Sequence, residues 1–430
     1  MSTNDRVAIV AGLRTPFAKQ GSGLRKMRTV DLGIAVVKEL IERSELAPRT
    51  VTLCIYGQVV PTLDWINIAR EVVLGSGLPK DVDAFSVSRA CATSIQTMTD
   101  AARYIQSGDH DVAIVGGADS MSDMPLGVSR PLRDALLAAQ KGKTVPDKLK
   151  AFAKISGKDF IPPVPGFARE PTTGELMGEA AEKMAKENGI SREEQDAIAH
   201  RSHVNAARAW EDGTYAPEVM HLIPKAGGDA VTQDNVVRKD STLESYAKLP
   251  PAFDKNHGTI TAGNSSPLTD GASALLLMRE SKAKSLGYLP LGYLRSYAYA
   301  AVDPGWQLLM APVFAIPKAL DRAGGLTLGQ MELVDVHEAF AAQLASNLKA
   351  LASKKFAQEH LGQSEAVGEI DPARLNVNGG SIAIGHPFAA TGARMVLSTL
   401  RELKKRKKQF GLLSICAAGG LGAVVVLEAT

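Results

Sequence analysis

Short runs of valine, isoleucine and leucine alternate along much of this chain with longer stretches of helical apolar periodicity. This alternation predicts βαβ units around buried sheets, because a strand covered on both faces reads as a continuous apolar run. Helices are predicted at about 91–107 and 388–408, each ending before a glycine. The predicted strands are 7–11, 51–56, 84–88, 112–115, 274–278, 333–336, 411–416 and 424–427. The chain is therefore expected to be an α/β protein.

Composition narrows the class of protein further. The 430 residues allow roughly three domain-sized units, or two with a large insertion, and a hydrophobic content of 45% supports an extensive core. A net charge of +3 gives no global sign of a nucleic-acid partner. The polar N-terminus has no signal-peptide pattern, and no apolar run approaches the roughly 20 residues that span a bilayer. Three cysteines are too few for a disulfide framework, so a cytoplasmic protein is expected.

The two ends of the chain repeat one order of predicted elements. In each, a short apolar run leads through a turn and a helix to a second apolar run, and the two turns contain Cys91 and His386. An internal duplication explains this order, and so does a chance recurrence of βαβ units. The pattern alone leaves both interpretations open.

The βα rhythm is lost between about residues 121 and 250. This segment contains a basic stretch at 130–158 and a predicted helix near 192–210, and it is typical of an insertion that covers a site. The basic stretch could meet a phosphate-bearing substrate, a membrane surface or a partner protein. The predicted division is a first half at 1–120, completed by about 251–278, an inserted loop domain at 121–250, and a second half at 279–430.

Two of the three cysteines are predicted to lie at sharp turns, in settings that favour exposure. Cys91, in the run SRACATS, opens a predicted helix, whose positive end should lower the pKa of the thiol. Cys416, in the run SICAAGG, leads into a glycine-rich turn whose backbone N–H groups could face a pocket. Cys54 lies within a predicted strand and should pack in the core. Buried, inert thiols are the alternative for Cys91 and Cys416.

Histidines at two further strand-to-helix turns are candidate catalytic groups. His386, in the run GHP, could accept the proton of a thiol if its imidazole is neutral. His337 could donate to a carbonyl or hold a water, and Glu338 beside it could simply favour a helix dipole. His200 and His203 are expected on a solvated helix face. No histidine spacing matches a zinc pattern and no dinucleotide fingerprint is present, so no metal or nicotinamide cofactor is expected.

Taken together and in this order, these motifs closely resemble those of the thiolases over essentially the whole chain. The resemblance is carried by Cys91, by HEAF at 337–340, by GHP at 385–387, by CAAGG at 416–420, and by GTITAGNSSPLTDG at 258–271. It implies a duplicated, five-layered αβαβα fold with an inserted loop domain.

The resemblance also implies a role for each candidate residue. Cys91 would be the acylated nucleophile, His386 its base and Cys416 the acid and base at the α-carbon. The backbone N–H groups of Cys91 and Ala418 would form an oxyanion hole. Ser266 would contact the pantetheine of coenzyme A, and Met177 would line the acyl pocket.

Two residues depart from the usual thiolase pattern. His337 stands where most thiolases have asparagine, which holds a water in the oxyanion hole for the thioester carbonyl; a neutral histidine in the right tautomer can take this part. Ala418 replaces a usual glycine, but only its backbone N–H is needed. The histidine form is similar to β subunits of the fatty-acid oxidation complex.

This likeness implies cleavage of 3-ketoacyl-CoA by coenzyme A, which is a substrate and not a cofactor. It also implies a homodimeric core and a complex with a hydratase/dehydrogenase α subunit. A decarboxylating ketoacyl synthase and a non-catalytic lipid carrier or scaffold are the alternatives; the second cysteine argues against the first, and the intact catalytic residues argue against the second. Acyl chain length and the direction of flux stay open.

Overall fold

The computed structural model describes residues 5–162, 168–224 and 228–430. Its strands are β1 (Val7–Arg14), β2 (Ala18–Lys19), β3 (Leu53–Gly57), β4 (Asp83–Phe85), β5 (Val112–Asp119), β6 (Thr269–Arg279), β7 (Gly292–Ala301), β8 (Leu333–Val336), β9 (Phe410–Ala417) and β10 (Leu421–Ala429).

The α-helices are α1 (Thr29–Arg43), α2 (Ile68–Ser76), α3 (Thr93–Ser107), α4 (Arg130–Lys141), α5 (Val145–Lys150), α6 (Met177–Asn188), α7 (Arg192–Glu211), α8 (Leu243–Ala247), α9 (Glu280–Ser285), α10 (Ala311–Arg322), α11 (Ala341–Ala352), α12 (Lys354–Phe356), α13 (Ser381–Ile384) and α14 (Thr391–Arg406). Single turns of 3₁₀ or π helix lie at Pro48–Thr50, Gly157–Phe160, Leu308–Met310, Leu328–Gln330, Ala357–Leu361, Pro372–Arg374 and Phe388–Ala390.

The order of strands in the sheet is symmetric about its centre. The order is β4-β3-β5-β6-β1-β7-β10-β9-β8, with β2 paired to β6. On each side, one parallel pair (β3–β5, β8–β9) continues into two antiparallel pairs, and β1 meets β7 antiparallel in the middle. A lone parallel bridge between Val334 and Leu375 stands where β4 pairs with β3 in the first half. The internal duplication is therefore confirmed, since chance recurrence would not give matched pairings.

The strands of the first half-sheet (β1–β6) and of the second half-sheet (β7–β10) form two layers, and helices form three more layers outside and between them. On the outer face of the first half-sheet, α1 packs on β5 and β6, and α2 packs on β3. Between the half-sheets, α3 and α14 pack on each other, and α10 covers β7 and β10 on the far side. Three buried apolar clusters fill the gaps, so the expected αβαβα arrangement is confirmed. Both central helices begin at the turns that contain the catalytic candidates.

All eight predicted strands are present, most of them longer than predicted, and the sequence missed two. The missed strand β7 reads GYLRSYAYAA and is only partly buried, so its arginine, serine and tyrosines hide the apolar run that marked the others. β2 has two residues and is too short to detect. Both predicted central helices are present, and α3 ends at Gly108, whose φ of 88° is a left-handed conformation that glycine adopts freely.

In the described part of the region between β5 and β6, the regular secondary structure is helical. This region contributes α4 to α8, of which α7 packs against α11 and α13 of the second half. The basic stretch lies on and around α4 and α5, whose surfaces also expose Leu136, Leu137 and Leu149. No helix in the described ranges is long and apolar enough to cross a membrane.

Candidate active site

Cys91 lies on a strained turn between β4 and α3. The preceding residue, Ala90, has a φ of 44°, a left-handed conformation that costs a residue with a Cβ about 1–2 kcal/mol. The Thr93 hydroxyl holds the turn: it accepts from the Arg89 backbone N–H at 2.8 Å and donates to the Ala90 carbonyl at 2.7 Å. A Cβ on Gly57 would lie 2.1 Å from the Thr93 methyl, so the turn is packed closely against β3. The surrounding structure therefore fixes the position of the thiol.

His386 occupies the equivalent turn before α14. Gly385 has a φ of 106°, and the His386 backbone N–H donates to Thr269 Oγ1 at 2.8 Å. The ring Nδ1 lies 2.7 Å from Thr391 Oγ1. The ring Nε2 is buried and has no hydrogen-bond partner among the described residues. This nitrogen is therefore available to a reacting group.

His337 follows β8, and its ring lies beside the ring of His386. Its backbone N–H donates to the Ser414 carbonyl at 2.8 Å, and its Nδ1 lies 2.9 Å from Ser381 Oγ. Its Nε2 is also buried without a partner in the described ranges. The centroids of the His337 and His386 rings are 4.2 Å apart. The Cys91 sulfur and one ring nitrogen from each histidine lie within 4.8 Å of one another.

The sequence prediction of a lowered pKa for Cys91 is wrong in direction. Although the residue as a whole keeps some exposed surface, burial of the thiol raises its pKa to about 12. Hydrogen bonds to the sulfur from the backbone N–H groups of Ala418 and Cys91 offset only part of this effect. The helix itself begins two residues later, at Thr93, and burial outweighs its dipole.

Both histidines are neutral in the resting site. Burial, and to a lesser extent the nearby charge of Arg394, lowers the pKa of His386 to about 3. Burial, then His386 and Arg394, holds the pKa of His337 well below its ordinary value. A neutral thiol therefore faces two neutral imidazoles, and the thiol proton has an acceptor within reach without a preformed ion pair.

Cys416 lies near the end of β9, and its exposure was predicted wrongly. The residue is buried, and burial, followed by the neighbouring Cys91, raises the pKa of its thiol well above the ordinary value. It nevertheless lines the same cavity as Cys91 and His386. Cys54 is fully buried in β3, as predicted.

A largely apolar cavity of about 320 Å³ adjoins these groups. Met177 and Ser266, predicted to contact substrate, both lie in its wall, and Ser266 is held by a backbone hydrogen bond to Ala339. A Cβ on Gly178 would lie 2.0 Å from the Phe253 ring, so glycine there lets this ring close one side. The lining residues are Val59, Ala90, Cys91, Ala168, Leu176, Met177, Gly178, Phe253, Ser265, Ser266, Leu268, Leu309, Ala339, Phe340, His386, Phe388, Cys416, Ala417 and Ala418.

The sequence missed the residues that support the histidines from behind. Ser381 and Thr391 contact the two Nδ1 atoms, and the buried Arg394 reaches Ser381 at 3.3 Å. A serine immediately after a glycine pair and an arginine within an amphipathic helix carry no local signal of this role. Buried Asp119 was also missed; it accepts from the backbone N–H of Ala389 at 2.8 Å and so ties β5 to the start of α14.

Two polar residues differ from their predicted settings. Glu338 does not serve a helix dipole, because α11 begins only at residue 341; its buried carboxylate accepts from Ser202 and Asn376, each at 2.6 Å. His203 is buried and not solvated, which lowers its pKa to about 4, and its Nδ1 accepts the Arg238 backbone N–H. Half-buried His200 contacts Ser241. The Glu338 partner Ser202 lies on α7, which packs against α11 and α13.

One sulfur and two imidazole nitrogens are also donor types that zinc binds. The Cys91, His337 and His386 cluster has these donors at close range. The expectation that the protein has no resident metal stays a prediction.

Comparison with known proteins identifies the family of this chain. The family model for the thiolase N-terminal domain matches residues 7–281, and that for the thiolase C-terminal domain matches residues 288–429. This chain therefore belongs to the thiolase family.

Relatives and solved structures extend this likeness to nearly full length. The chain is 53% identical over 425 residues to a 3-ketoacyl-CoA thiolase of Photobacterium profundum, covering 99% of this chain and 97% of that protein. Its fold is similar to the crystal structure of the Bacillus anthracis acetyl-CoA acetyltransferase, with a TM-score of 0.86 and 32% identity. It is also similar to human mitochondrial 3-ketoacyl-CoA thiolase, with a TM-score of 0.84 and 30% identity. In both structural comparisons 99% of each chain is covered.

Proposed function

We propose that this protein is an acyltransferase that cleaves 3-ketoacyl-CoA with coenzyme A, giving acetyl-CoA and a shortened acyl-CoA. One observation carries the proposal: a thiol and two neutral imidazoles converge within 4.8 Å beside an apolar cavity. An imidazole beside the thiol can take the thiol proton, and the cavity can hold an acyl chain. The named activity of the 53% identical relative supports this substrate class.

The first half-reaction begins with proton transfer from Cys91 to His386. The sulfur attacks the ketone carbon, and the resulting oxyanion lies against the backbone N–H groups of Cys91 and Ala418, which already point at the sulfur in the resting site. The bond between the α- and β-carbons then breaks, and the shortened acyl group stays on Cys91. The electron pair forms an acetyl-CoA enolate, whose oxygen meets His337 and protonated His386.

Cys416 completes both half-reactions as the proton carrier at the α-carbon. It protonates the enolate carbon, which releases acetyl-CoA, and it then takes the thiol proton of incoming coenzyme A. The new thiolate attacks the thioester carbonyl and removes the acyl group from Cys91, which leaves as a thiolate and regains its proton from protonated His386. Cys416 is again a thiol. Its raised pKa suits this role, because a thiol that holds its proton in the resting site can act first as an acid.

Mass spectrometry of the trapped acyl-enzyme tests this scheme. Cys91→Ala should form no acyl-enzyme from 3-ketoacyl-CoA, whereas Cys54→Ala, which removes a thiol remote from the cavity, should acylate like the parent protein. Cys416→Ala should acylate poorly and exchange α-protons slowly. Acylation of Cys91→Ala at the parent rate would overturn the assignment.

A decarboxylating ketoacyl synthase is the second candidate, and the arrangement of two imidazoles around one thiol favours it. Cys416 in the same cavity argues against it, since proton transfer at the α-carbon is not needed when carbon dioxide leaves. Turnover of a malonyl thioester without any cleavage of 3-ketoacyl-CoA would establish this second function in place of the first.

We also propose the surroundings in which this activity operates. Coenzyme A serves as substrate without a further cofactor, in a homodimer that associates with a hydratase/dehydrogenase subunit. Exposed apolar side chains on α4 and α5 support such an association, because a partner would cover them. Three free thiols support a cytoplasmic location. Sedimentation of the protein with and without the candidate subunit tests the complex, and a single unchanged boundary would refute it.

We propose that the chain consists of two halves and an inserted loop domain. Residues 1–120 and about 251–278 form the first half, 121–250 the inserted loop domain, and 279–430 the second half. The position of Met177 in the cavity wall supports a role for the inserted segment in shaping the acyl pocket.

A further inference from the structure

The hydroxyl of Ser381 lies between an arginine and the His337 ring. Ser381 Oγ is 2.9 Å from His337 Nδ1 and 3.3 Å from Arg394 Nη2. All three side chains are buried, and Arg394 is itself held by Asp335, with 3.3 Å between Nη1 and Oδ2. Arg394 and Asp335 do not line the cavity that contains Cys91, so they act on the site only through these contacts.

The chemistry of these groups assigns the protons. A guanidinium can only donate, so Ser381 Oγ accepts from Arg394. Ser381 has one proton of its own, and the only hydrogen-bond partners of its hydroxyl in the described parts of the chain are Arg394 and His337. If His337 carried its proton on Nδ1, both neighbours would donate to the serine oxygen, and the serine proton would be buried without an acceptor. The arrangement that satisfies the serine oxygen, the serine proton and the ring Nδ1 together has Ser381 donating to an unprotonated Nδ1.

We propose that Ser381 and Arg394 are positioning residues that hold neutral His337 as its Nε2–H tautomer. The Nε2–H bond then faces the Cys91 cluster as a permanent donor. No guanidinium donates to the Thr391 hydroxyl among the described residues. Thr391 Oγ1 is therefore free to accept from His386 Nδ1–H, which leaves an unprotonated Nε2 facing the thiol. The two histidines thereby differ in function although they occupy similar settings.

This inference deepens the proposed function. It rests on that function only for the identity of the oxygen that accepts the His337 hydrogen bond. In that reaction His337 keeps its proton and donates to the thioester oxygen throughout. His386 gains its proton only when Cys91 gives one up. The tautomer of the free enzyme does not depend on which substrate is turned over, so the two proposals can fail separately.

Nitrogen NMR of the full-length protein, labelled in its eight histidines, reads the tautomer directly. The His337 signals are identified by their absence in His337→Asn. We expect Nε2–H in the unliganded parent protein and a detectable Nδ1–H population in Ser381→Ala. The matched control is Ser398→Ala. Ser398 lies on the same helix as Arg394, and its buried hydroxyl donates to Glu218, so its removal should leave the His337 tautomer unchanged. An Nδ1–H signal in the parent protein, or no change in Ser381→Ala, would overturn the proposal.

A double-mutant cycle separates positioning from general structural damage. Ser381→Ala should lower kcat about fivefold, the equivalent of one neutral hydrogen bond, with little change in KM. In the His337→Asn background the same change should alter kcat by less than about twofold, because the amide needs no tautomer. Equal losses in both backgrounds would show a structural role and refute positioning.

Arg394 is tested together with its buried partner. Asp335→Asn with Arg394→Met removes the ion pair without leaving a carboxylate unpaired. The doubly substituted protein should show the same mixed His337 tautomers as Ser381→Ala. A pure Nε2–H signal in a folded sample would remove Arg394 from the proposal.

Discussion

The resting state of Cys91 leads to a pH dependence of alkylation that differs from that of an ion-paired catalytic cysteine. Burial raises the pKa of Cys91 to about 12 and lowers the pKa of His386 to about 3. Between these values the proton stays on sulfur. At pH 7 the thiolate is then about 1 part in 10⁵, compared with about 3% for an ordinary cysteine.

Iodoacetamide reacts with the thiolate and not with the thiol, so its rate reports this population. For the unliganded enzyme we expect the rate of Cys91 modification to rise about tenfold per pH unit from pH 6 to pH 10, with no plateau. Peptide mass spectrometry in a Cys416→Ala background isolates Cys91 from the other thiol of the cavity. Circular dichroism at each pH confirms that the protein stays folded.

His386→Ala provides the control that separates the resting state from catalysis. Because the histidine is neutral at rest, its removal should change alkylation at a given pH by less than about tenfold, while acylation by 3-ketoacyl-CoA should fall about 10²–10⁴-fold. A constant alkylation rate between pH 6 and pH 8 would instead show a thiolate–imidazolium pair. That result would refute the argument that burial dominates the electrostatics of this site.

Three further substitutions test the packing of one glycine in the cavity wall and the pairing of two buried charged groups. Gly178→Ala places a Cβ against the Phe253 ring and should destabilise the protein by about 1–3 kcal/mol and raise KM for long acyl chains; an unchanged melting temperature would contradict the close packing. Glu338→Ala leaves buried donors unpaired and should cost about 3 kcal/mol in the free energy of unfolding, more than Glu338→Gln; equal urea midpoints for the two would contradict this. Arg14→Met leaves Asp234 buried without its bidentate partner and should cost about 3–5 kcal/mol by urea unfolding, and a loss below about 1 kcal/mol would contradict it.

The local sequence was sufficient for the buried strands and for the turns that carry Cys91 and His386. An apolar run, a turn of small residues and an amphipathic pattern together predict a strand, a turn and a helix. The family motifs predicted the role of each candidate residue. The pKa of Cys91 was predicted in the wrong direction because burial of a thiol depends on residues from distant segments, which the local pattern does not show. Arg394 was missed because buried and exposed arginines look alike in a helical pattern.

The duplication explains both the position of the site and its chemical asymmetry. The N-terminal ends of α3 and α14 meet at the centre of the molecule, where Ser94 Oγ accepts from the Ala393 backbone N–H at 2.8 Å. Equivalent turns of the two halves thus bring Cys91 and His386 together without any long-range loop. Two similar halves would by themselves supply similar groups, whereas the reaction needs a base and a donor that differ. The difference comes from α14, whose Thr391 contacts one histidine and whose Arg394 reaches the other through Ser381.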